Sequence, residues 1–310
     1  MSLRRGIGFR SRTRGDTSGA MPGSARLDWT TLTHFVQSCG VNPTYGEHVS
    51  KYIVSETSAH AWADAMEHLV QCEDGKDFNV VINITNPTAE IRDVTRVVDS
   101  LALQFGLKST MENANAIWPT VFVRPGRSAT DVFSDIQRFA IPTIKLACRK
   151  RHDSYVERLL EWRSNDGGEK VPQLQNVLKR LKTEVNNRAP KSSSYEISIF
   201  SPGLDSGYMS FPCLSHLSVK YEHKRQKIHL TAVYRNHAYL SHAYGNFIGL
   251  GRLMRFLCSE TETQAGELVS ISTHADAELN SGRKSRVKAA MQEARGILSG
   301  CNKECELVES

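Results

Sequence analysis

Residues 211–246 run FPCLSHLSVKYEHKRQKIHLTAVYRNHAYLSHAYGN. Two stretches inside this segment, 214–221 and 227–234, alternate apolar with polar residues, and the charged residues 222–226 between them make a hairpin connection. Cys213 follows Pro212 at the start of the first stretch, Arg235 ends the second, and Asn246 stands eleven positions beyond that arginine. A thiol at a strand end beside a fixed cation is held as thiolate and can attack an electron-poor carbon. Hairpin pairing would bring the Arg235 guanidinium next to Cys213, where it stabilises a thiolate and holds a phosphate. The Asn246 carboxamide offers a donor and an acceptor side by side, the complement of the O4 and N3–H edge of a uracil-type base. It also suits the cap of the helix that it opens.

Outward from this hairpin the pattern alternates between the two periods. Residues 195–200 (YEISIF) predict a strand, and 268–272 a last short one. Helices are predicted over 155–162, over 172–184 with Leu174, Val177, Leu178 and Leu181 on one stripe, and over 245–258 with Phe247, Leu250, Leu253, Met254 and Leu257 inside. A polar helical stretch fills 277–298. Gly245, Gly249 and Gly251 lack the strand-turn context of a dinucleotide fingerprint and predict close helix packing. Toward the N-terminus the spacing predicts helices over 28–39, 58–72 (Ser58 as cap), 90–105 and 129–139, with a turn at 40–45 and a strand over 78–84. Residues 117–123 (IWPTVFV) predict an edge strand, because Pro119 cannot donate to a ladder. The sum is an α+β fold, a mixed or antiparallel sheet flanked by helices.

The net charge of +6 is concentrated at the start of the chain, where Arg4, Arg5, Arg10, Arg12, Arg14 and Arg26 face only Asp16. Residues 1–26 therefore predict a disordered Arg-rich leader, and nucleic-acid binding is not expected outside it. One domain is expected over 27–300, divided into 27–150 and a site-bearing core over 151–300, with a frayed tail at 301–310. No apolar run has the length of a membrane span, and no signal-peptide pattern opens the sequence. Seven scattered cysteines then predict reduced thiols and a cytoplasmic setting. His216, His223, His229, His237 and His242 crowd the central segment, but on alternating strands such side chains need not converge, and no metal is expected.

Taken together, Pro212-Cys213, Arg235-Asn236, Asn246 and the later His274-Ala275-Asp276 resemble the thymidylate synthase superfamily. The resemblance covers roughly 154–280, and 27–150 only loosely. It implies that fold, a homodimer formed through the sheet, and one-carbon (methyl or hydroxymethyl) transfer to C5 of a pyrimidine nucleotide through a covalent adduct at Cys213. It also implies Arg235 on the phosphate and thiolate, Asn236, Asn246 and His274 on the nucleotide, and 5,10-methylenetetrahydrofolate as the one-carbon donor. Several positions differ from the family pattern. Ala238 stands where the family has a folate-orienting Asp, Asp276 where it has a substrate-binding Tyr, and Ser193-Ser194 where it has phosphate-binding arginines, with Arg188 and Lys191 nearby as substitutes. The alternative is a nucleotide-binding or regulatory protein on the same fold.

Overall fold

The predicted hairpin forms as β4 (Leu214–Glu222) and β5 (Lys227–Tyr234), with antiparallel register from Leu214↔Tyr234 to Glu222↔Lys227. Gln226, in the turn, takes a positive φ of 53°. The structure is a computed structural model that describes residues 50–148, 153–163, 169–187, 194–205, 212–280 and 282–301. The described residues belong to one structural unit, Ser50–Ser310. The expected leader, the helix at 28–39 and the turn at 40–45 lie outside the described residues.

Among the described residues seven strands form one sheet in the order β1-β2-β7-β5-β4-β3, with β6 beside the end of β7. The remaining strands are β1 (Tyr52–Ser55), β2 (Lys76–Ile84), β3 (Glu196–Ser198), β6 (His237–Ala238) and β7 (Gln264–Asp276). Pairings β2/β7, β3/β4 and β4/β5 are antiparallel, while β1/β2, β5/β7 and β6/β7 are parallel. Parallel neighbours need a crossover rather than a hairpin. Helix α1 (Ser58–Gln71) supplies it between β1 and β2. The expected fold class is therefore met as an open mixed sheet flanked by helices.

The other helices are α2 (Arg92–Gln104), α3 (Thr110–Ile117), α4 (Ala129–Asp135), α5 (Ile141–Cys148), α6 (Tyr155–Glu161), α7 (Gln173–Asn187), α8 (Tyr244–Thr261) and α9 (Lys284–Cys301). Helix α8 crosses between β5 and β7, and its residues from Tyr244 to Met254 are all buried. Beneath it the inward positions Leu230, Ala232, Tyr234, Leu217 and Leu268 are at most 1% exposed. Leu174, Val177, Leu178 and Leu181 bury the predicted stripe of α7 in the same core.

Three local expectations need correction. Residues 117–123 are not a strand. Ile117 ends α3, and Thr120–Phe122 form a single 3₁₀ turn. The reason lies upstream: Ser109 and Glu112 form a reciprocal capping box that starts a helix, and Ala114, Ile117 and Trp118 are its buried face. The cap of α1 is Thr57, whose side chain accepts from the His60 N–H, rather than Ser58. The strand expected over 268–272 is thirteen residues long, because β5 pairs with it from Gln264 to Ser272 and β2 from Leu268 to Asp276, each extending it past one end of the expected span.

Candidate functional site

Cys213 sits at the entrance to β4, just before the bulge between Leu214 and His216. The strand across the hairpin holds it there. Arg235 donates its backbone N–H to the Cys213 carbonyl (2.9 Å) and its Nε–H to the Pro212 carbonyl (3.2 Å). The hairpin thus does what its sequence predicts, placing the guanidinium against the Pro212-Cys213 turn.

Pro212 and Cys213 form part of the wall of a cavity of about 470 Å³, within the usual size range for a small-molecule site. Asn236, His237, Ala238 and Asn246 line it from the β5–α8 side, Glu112 and Asn113 from α3, and Tyr155 from the first turn of α6. Of the predicted residues, Cys213, Asn236 and Asn246 therefore share one cavity, and Arg235 adjoins it. His274 reaches it indirectly, through Nδ1 to Asn236 Oδ1 at 2.5 Å. Asp276 does not line the cavity. Its Oδ1 accepts the Glu278 N–H (2.6 Å) and its Oδ2 lies 3.8 Å from Lys76. Arg188, Lys191 and Ser193 lie outside the described residues.

Two tyrosines surround the thiol that sequence reasoning did not single out. Tyr155 is partly exposed along the cavity wall, but its hydroxyl is enclosed against the backbone amides of Leu214 and Cys213. Burial pushes this phenol well above its ordinary value, and the Cys213 thiol adds to the effect, while the Leu214 and Cys213 amides and Arg235 pull the other way. Tyr234, fully buried at the end of β5, carries a hydroxyl with no hydrogen-bond partner among the described residues. Burial raises its phenol too, with Tyr155, Cys213 and Tyr239 contributing. At neutral pH the surroundings of Cys213 are thus two protonated phenols and one guanidinium, which supply hydrogen-bond donors and one positive charge. No sequence signal marks Tyr155, because helix–strand contacts over this separation have no local pattern.

Asn246 is buried at the start of α8, with only 3% exposure. Its amide nitrogen lies 3.2 Å from His237 Nε2. The His237 ring stacks on Tyr234 with centroids 3.8 Å apart and planes 3° from parallel. Burial, and secondarily His242, push its pKa down to about 3, so the imidazole is neutral. Glu112 is the other titratable group of interest, since its helix faces the nucleophile across the cavity. Its carboxylate is taken by the capping box, accepting from the Ser109 N–H at 2.8 Å and the Ser109 Oγ–H at 2.9 Å. The Ser109 amide chiefly holds it below the usual carboxylate range, against a smaller effect of burial.

Three histidines of the central segment scatter, while His237 and His242 line the same cavity. His216 contacts Glu196, His223 contacts Glu184, and His229 contacts Glu222 and the Glu267 N–H. Among the described residues His68, Cys72 and Asp77 do converge, with their ligating atoms within 4.8 Å of one another. His68 Nε2 and Asp77 Oδ2 are 2.5 Å apart, however. Two ligands of one tetrahedral zinc stand about 3.3 Å apart. The arrangement is a hydrogen-bonded His–Asp pair with a thiol beside it.

No protein-family model matches this sequence, and no curated protein matches it.

Proposed function

We propose that this cavity is a pyrimidine-nucleotide site of the thymidylate synthase type, in which Cys213 adds covalently to C6 of the base and C5 becomes the carbon that accepts a one-carbon unit. The observation that carries the reading is that Cys213 and Asn246, far apart in the chain, line the same cavity with Arg235 bracing the nucleophile's turn. In this reading the thiolate electron pair forms the S–C6 bond, and the C5=C6 π electrons move onto C5 and the O4 carbonyl. Asn246 pairs with the N3–H and O4 edge and stabilises the charge that develops there. Arg235 favours the thiolate. The proton that leaves C5 when the new C–C bond forms goes to solvent water, and the Tyr155 hydroxyl, beside the thiol, offers a hydrogen bond on that path.

The one-carbon donor, 5,10-methylenetetrahydrofolate, would supply a methylene group at the formaldehyde oxidation level. Its pterin edge presents N–H donors and calls for a carboxylate. Ala238 offers none, but β6 sets Ala238 opposite Asp276, two residues before Glu278. Glu278 lines the cavity with Oε2 accepting the Ser241 N–H at 2.8 Å. The residues present therefore fit the donor through Glu278. The same reading implies a homodimer formed through the uncovered face of the sheet, where Tyr52 and Val54 of β1 are 59% and 57% exposed. The changes at Ala238 and Ser194 support a second reading, a nucleotide-binding protein without turnover.

The test is incubation with 5-fluoro-2′-deoxyuridine monophosphate, with and without methylenetetrahydrofolate, followed by mass spectrometry. A nucleotide adduct on the Cys213 peptide, lost in Cys213→Ala, is the expected result. Binding without an adduct would select the second reading, and failure to bind any pyrimidine nucleotide would overturn both.

A further inference from the structure

Four buried side chains from four separate elements join into one hydrogen-bonded chain that ends at the cavity. Tyr239 Oη lies 3.0 Å from Ser272 Oγ, Ser272 Oγ lies 3.0 Å from His237 Nδ1, and His237 Nε2 lies 3.2 Å from Asn246 Nδ2. Tyr239 and Ser272 have no exposure, His237 1% and Asn246 3%. Tyr239 is fixed from behind, where Trp62 Nε1–H donates to its carbonyl at 3.1 Å. We propose that Ser272, Tyr239 and His237 are positioning residues that fix which way round the Asn246 carboxamide faces the cavity, and thereby whether the site accepts a uracil-type or a cytosine-type base. The proposal rests on the nucleotide reading above and adds what decides the base.

The argument is one of counting protons. A neutral imidazole has one N–H donor and one bare nitrogen acceptor. The His237 ring cannot escape this by turning, because it is held between the parallel face of Tyr234 and the edge of Phe247, whose ring lies 5.6 Å away at 89°. Two chains of hydrogen bonds are then self-consistent, and they run in opposite directions. In one, the Asn246 amide N–H donates to bare Nε2 and Nδ1–H donates to Ser272 Oγ. In the other, Ser272 O–H donates to bare Nδ1 and Nε2–H donates to the Asn246 carbonyl. The first is the order in which the atoms stand here. Reversal would turn the carboxamide over, exchanging its donor and acceptor positions toward the cavity.

A uracil-type edge presents an acceptor at O4 and a donor at N3. A cytosine-type edge presents a donor at N4 and an acceptor at N3. For a base in one pose, one orientation of Asn246 matches uracil and the flipped one matches cytosine. A site built to hydrogen-bond one edge rejects the other because a mismatch buries unpaired polar groups. Ser272 is the member that can switch direction, since its hydroxyl either donates to or accepts from Nδ1. The Tyr239 hydroxyl meets the same oxygen and changes role with it, accepting from Ser272 O–H in the first order and donating to Ser272 Oγ in the second.

The experiment measures dissociation constants of the full chain for dUMP and dCMP by calorimetry, in wild type, Ser272→Ala, Ser272→Thr and Tyr239→Phe. Wild type is expected to prefer dUMP by at least about tenfold. Ser272→Ala should bring that ratio to within about threefold of unity by weakening dUMP and strengthening dCMP, and Ser272→Thr, which keeps the hydroxyl, should restore it. Tyr239→Phe, which keeps the ring, should lower the ratio as well and provides the comparison if Ser272→Ala does not fold. Equal weakening of both nucleotides, or an unchanged ratio in the variants, overturns the proposal and leaves the nucleotide site standing. A wild type that binds both equally does the same. A wild type that binds neither removes the nucleotide reading and this proposal together.

Discussion

Helix α3 reaches the cavity only because α8 lets it approach, and Gly249→Ala tests that dependence. A Cβ built on Gly249 would lie 2.8 Å from the Ala114 carbonyl oxygen, 2.9 Å from Ile117 Cβ and 3.1 Å from Ala114 Cα. One turn earlier, a Cβ on Gly245 would lie 2.5 Å from Asn113 Cβ and 2.8 Å from the Thr110 oxygen. The two glycines therefore form one seam on α8, against which the backbone of α3 rests. Carbon atoms pack at about 3.5–4.0 Å, so an alanine at 249 forces α3 back by roughly 0.7 Å. None of the three atoms is the free end of a side chain, so none can rotate away. Overpacking of this kind costs about 1–3 kcal/mol, and this site belongs in the upper half of that range. Replacing a mid-helix glycine by alanine returns about 1 kcal/mol. The net expectation is destabilisation by about 1–2 kcal/mol, or roughly 2–8 °C in Tm for a body of this size. Gly296, exposed in α9, is the control, because a Cβ there meets nothing within 4 Å. Gly296→Ala should stabilise by up to about 1 kcal/mol. Differential scanning calorimetry of both variants decides the matter. A Gly249→Ala Tm equal to or above wild type would refute the claim that backbone contact at this seam positions α3.

Three further outcomes are expected. The His237 pKa lies at about 3 in the folded state and near 6.5 in an unfolded chain. Between these values the unfolded state binds the extra proton, so stability falls as pH drops below about 6.5. The loss is about 2 kcal/mol by pH 5. Urea midpoints at pH 7 and pH 5 should show it, and a His237→Gln variant with the same pH dependence would show that His237 is not its source. Arg158 and Asp205 are both buried and paired through two bonds of 2.6 and 2.8 Å, and Arg158 also donates to the Ile199 carbonyl at 2.8 Å. Asp205→Asn leaves that guanidinium with only the Asp153 carboxylate, 3.9 Å from its Nε, as counter-charge and should cost about 3 kcal/mol in urea unfolding; a loss below 1 kcal/mol would mean the pair is solvated or replaceable. Arg235→Met should slow iodoacetamide alkylation of Cys213, followed on its own peptide, by up to about tenfold for each unit by which the thiol pKa rises, with no change at Cys72; an unchanged rate at Cys213 would remove Arg235 from thiolate stabilisation.

Sequence periodicity located most of the scaffold because the buried faces follow it. The stripe of α7, the alternation of β4 and β5, and the apolar face of α8 each place their residues where the period puts them. It failed where a second signal competed. Trp118 and Val121 beside Pro119 imitate an edge strand, but the Ser109–Glu112 capping box upstream had already committed the chain to a helix. In β7 the inward positions Ser270 and Ser272 are polar yet fully buried, so the apolar alternation gives no support beyond 272 for a strand that runs to Asp276. Gly266 further disguises it. A Cβ there would lie 2.7 Å from the His229 ring, so the gap in the pattern marks a crossing side chain rather than a strand end. β1 was missed because a four-residue strand with exposed Tyr52 and Val54 carries too few alternations to count.

The candidate site was half legible for a related reason. Cys213, Arg235 and Asn246 announce themselves because each sits at the end of a regular element, where the hairpin or the helix start fixes its neighbour. The residues that condition them come together only through topology. His237 reaches Asn246 because the chain turns through a single wide helical turn, Tyr239–Ala243, before α8 begins. Ser272 reaches His237 because β6 adds to β7 in parallel, pairing His237 with Ala275. Glu278 arrives beside Ser241 with its own φ at 55°, a left-handed conformation that is uncommon for an L-residue and needs support from its surroundings. Here the Asp276 carboxylate, accepting the Glu278 N–H, provides part of that hold. Asp276, expected in the site, thus acts one step away from it by setting the turn that aims Glu278. Asp276→Ala should accordingly loosen the Glu278 turn without removing any group that lines the cavity.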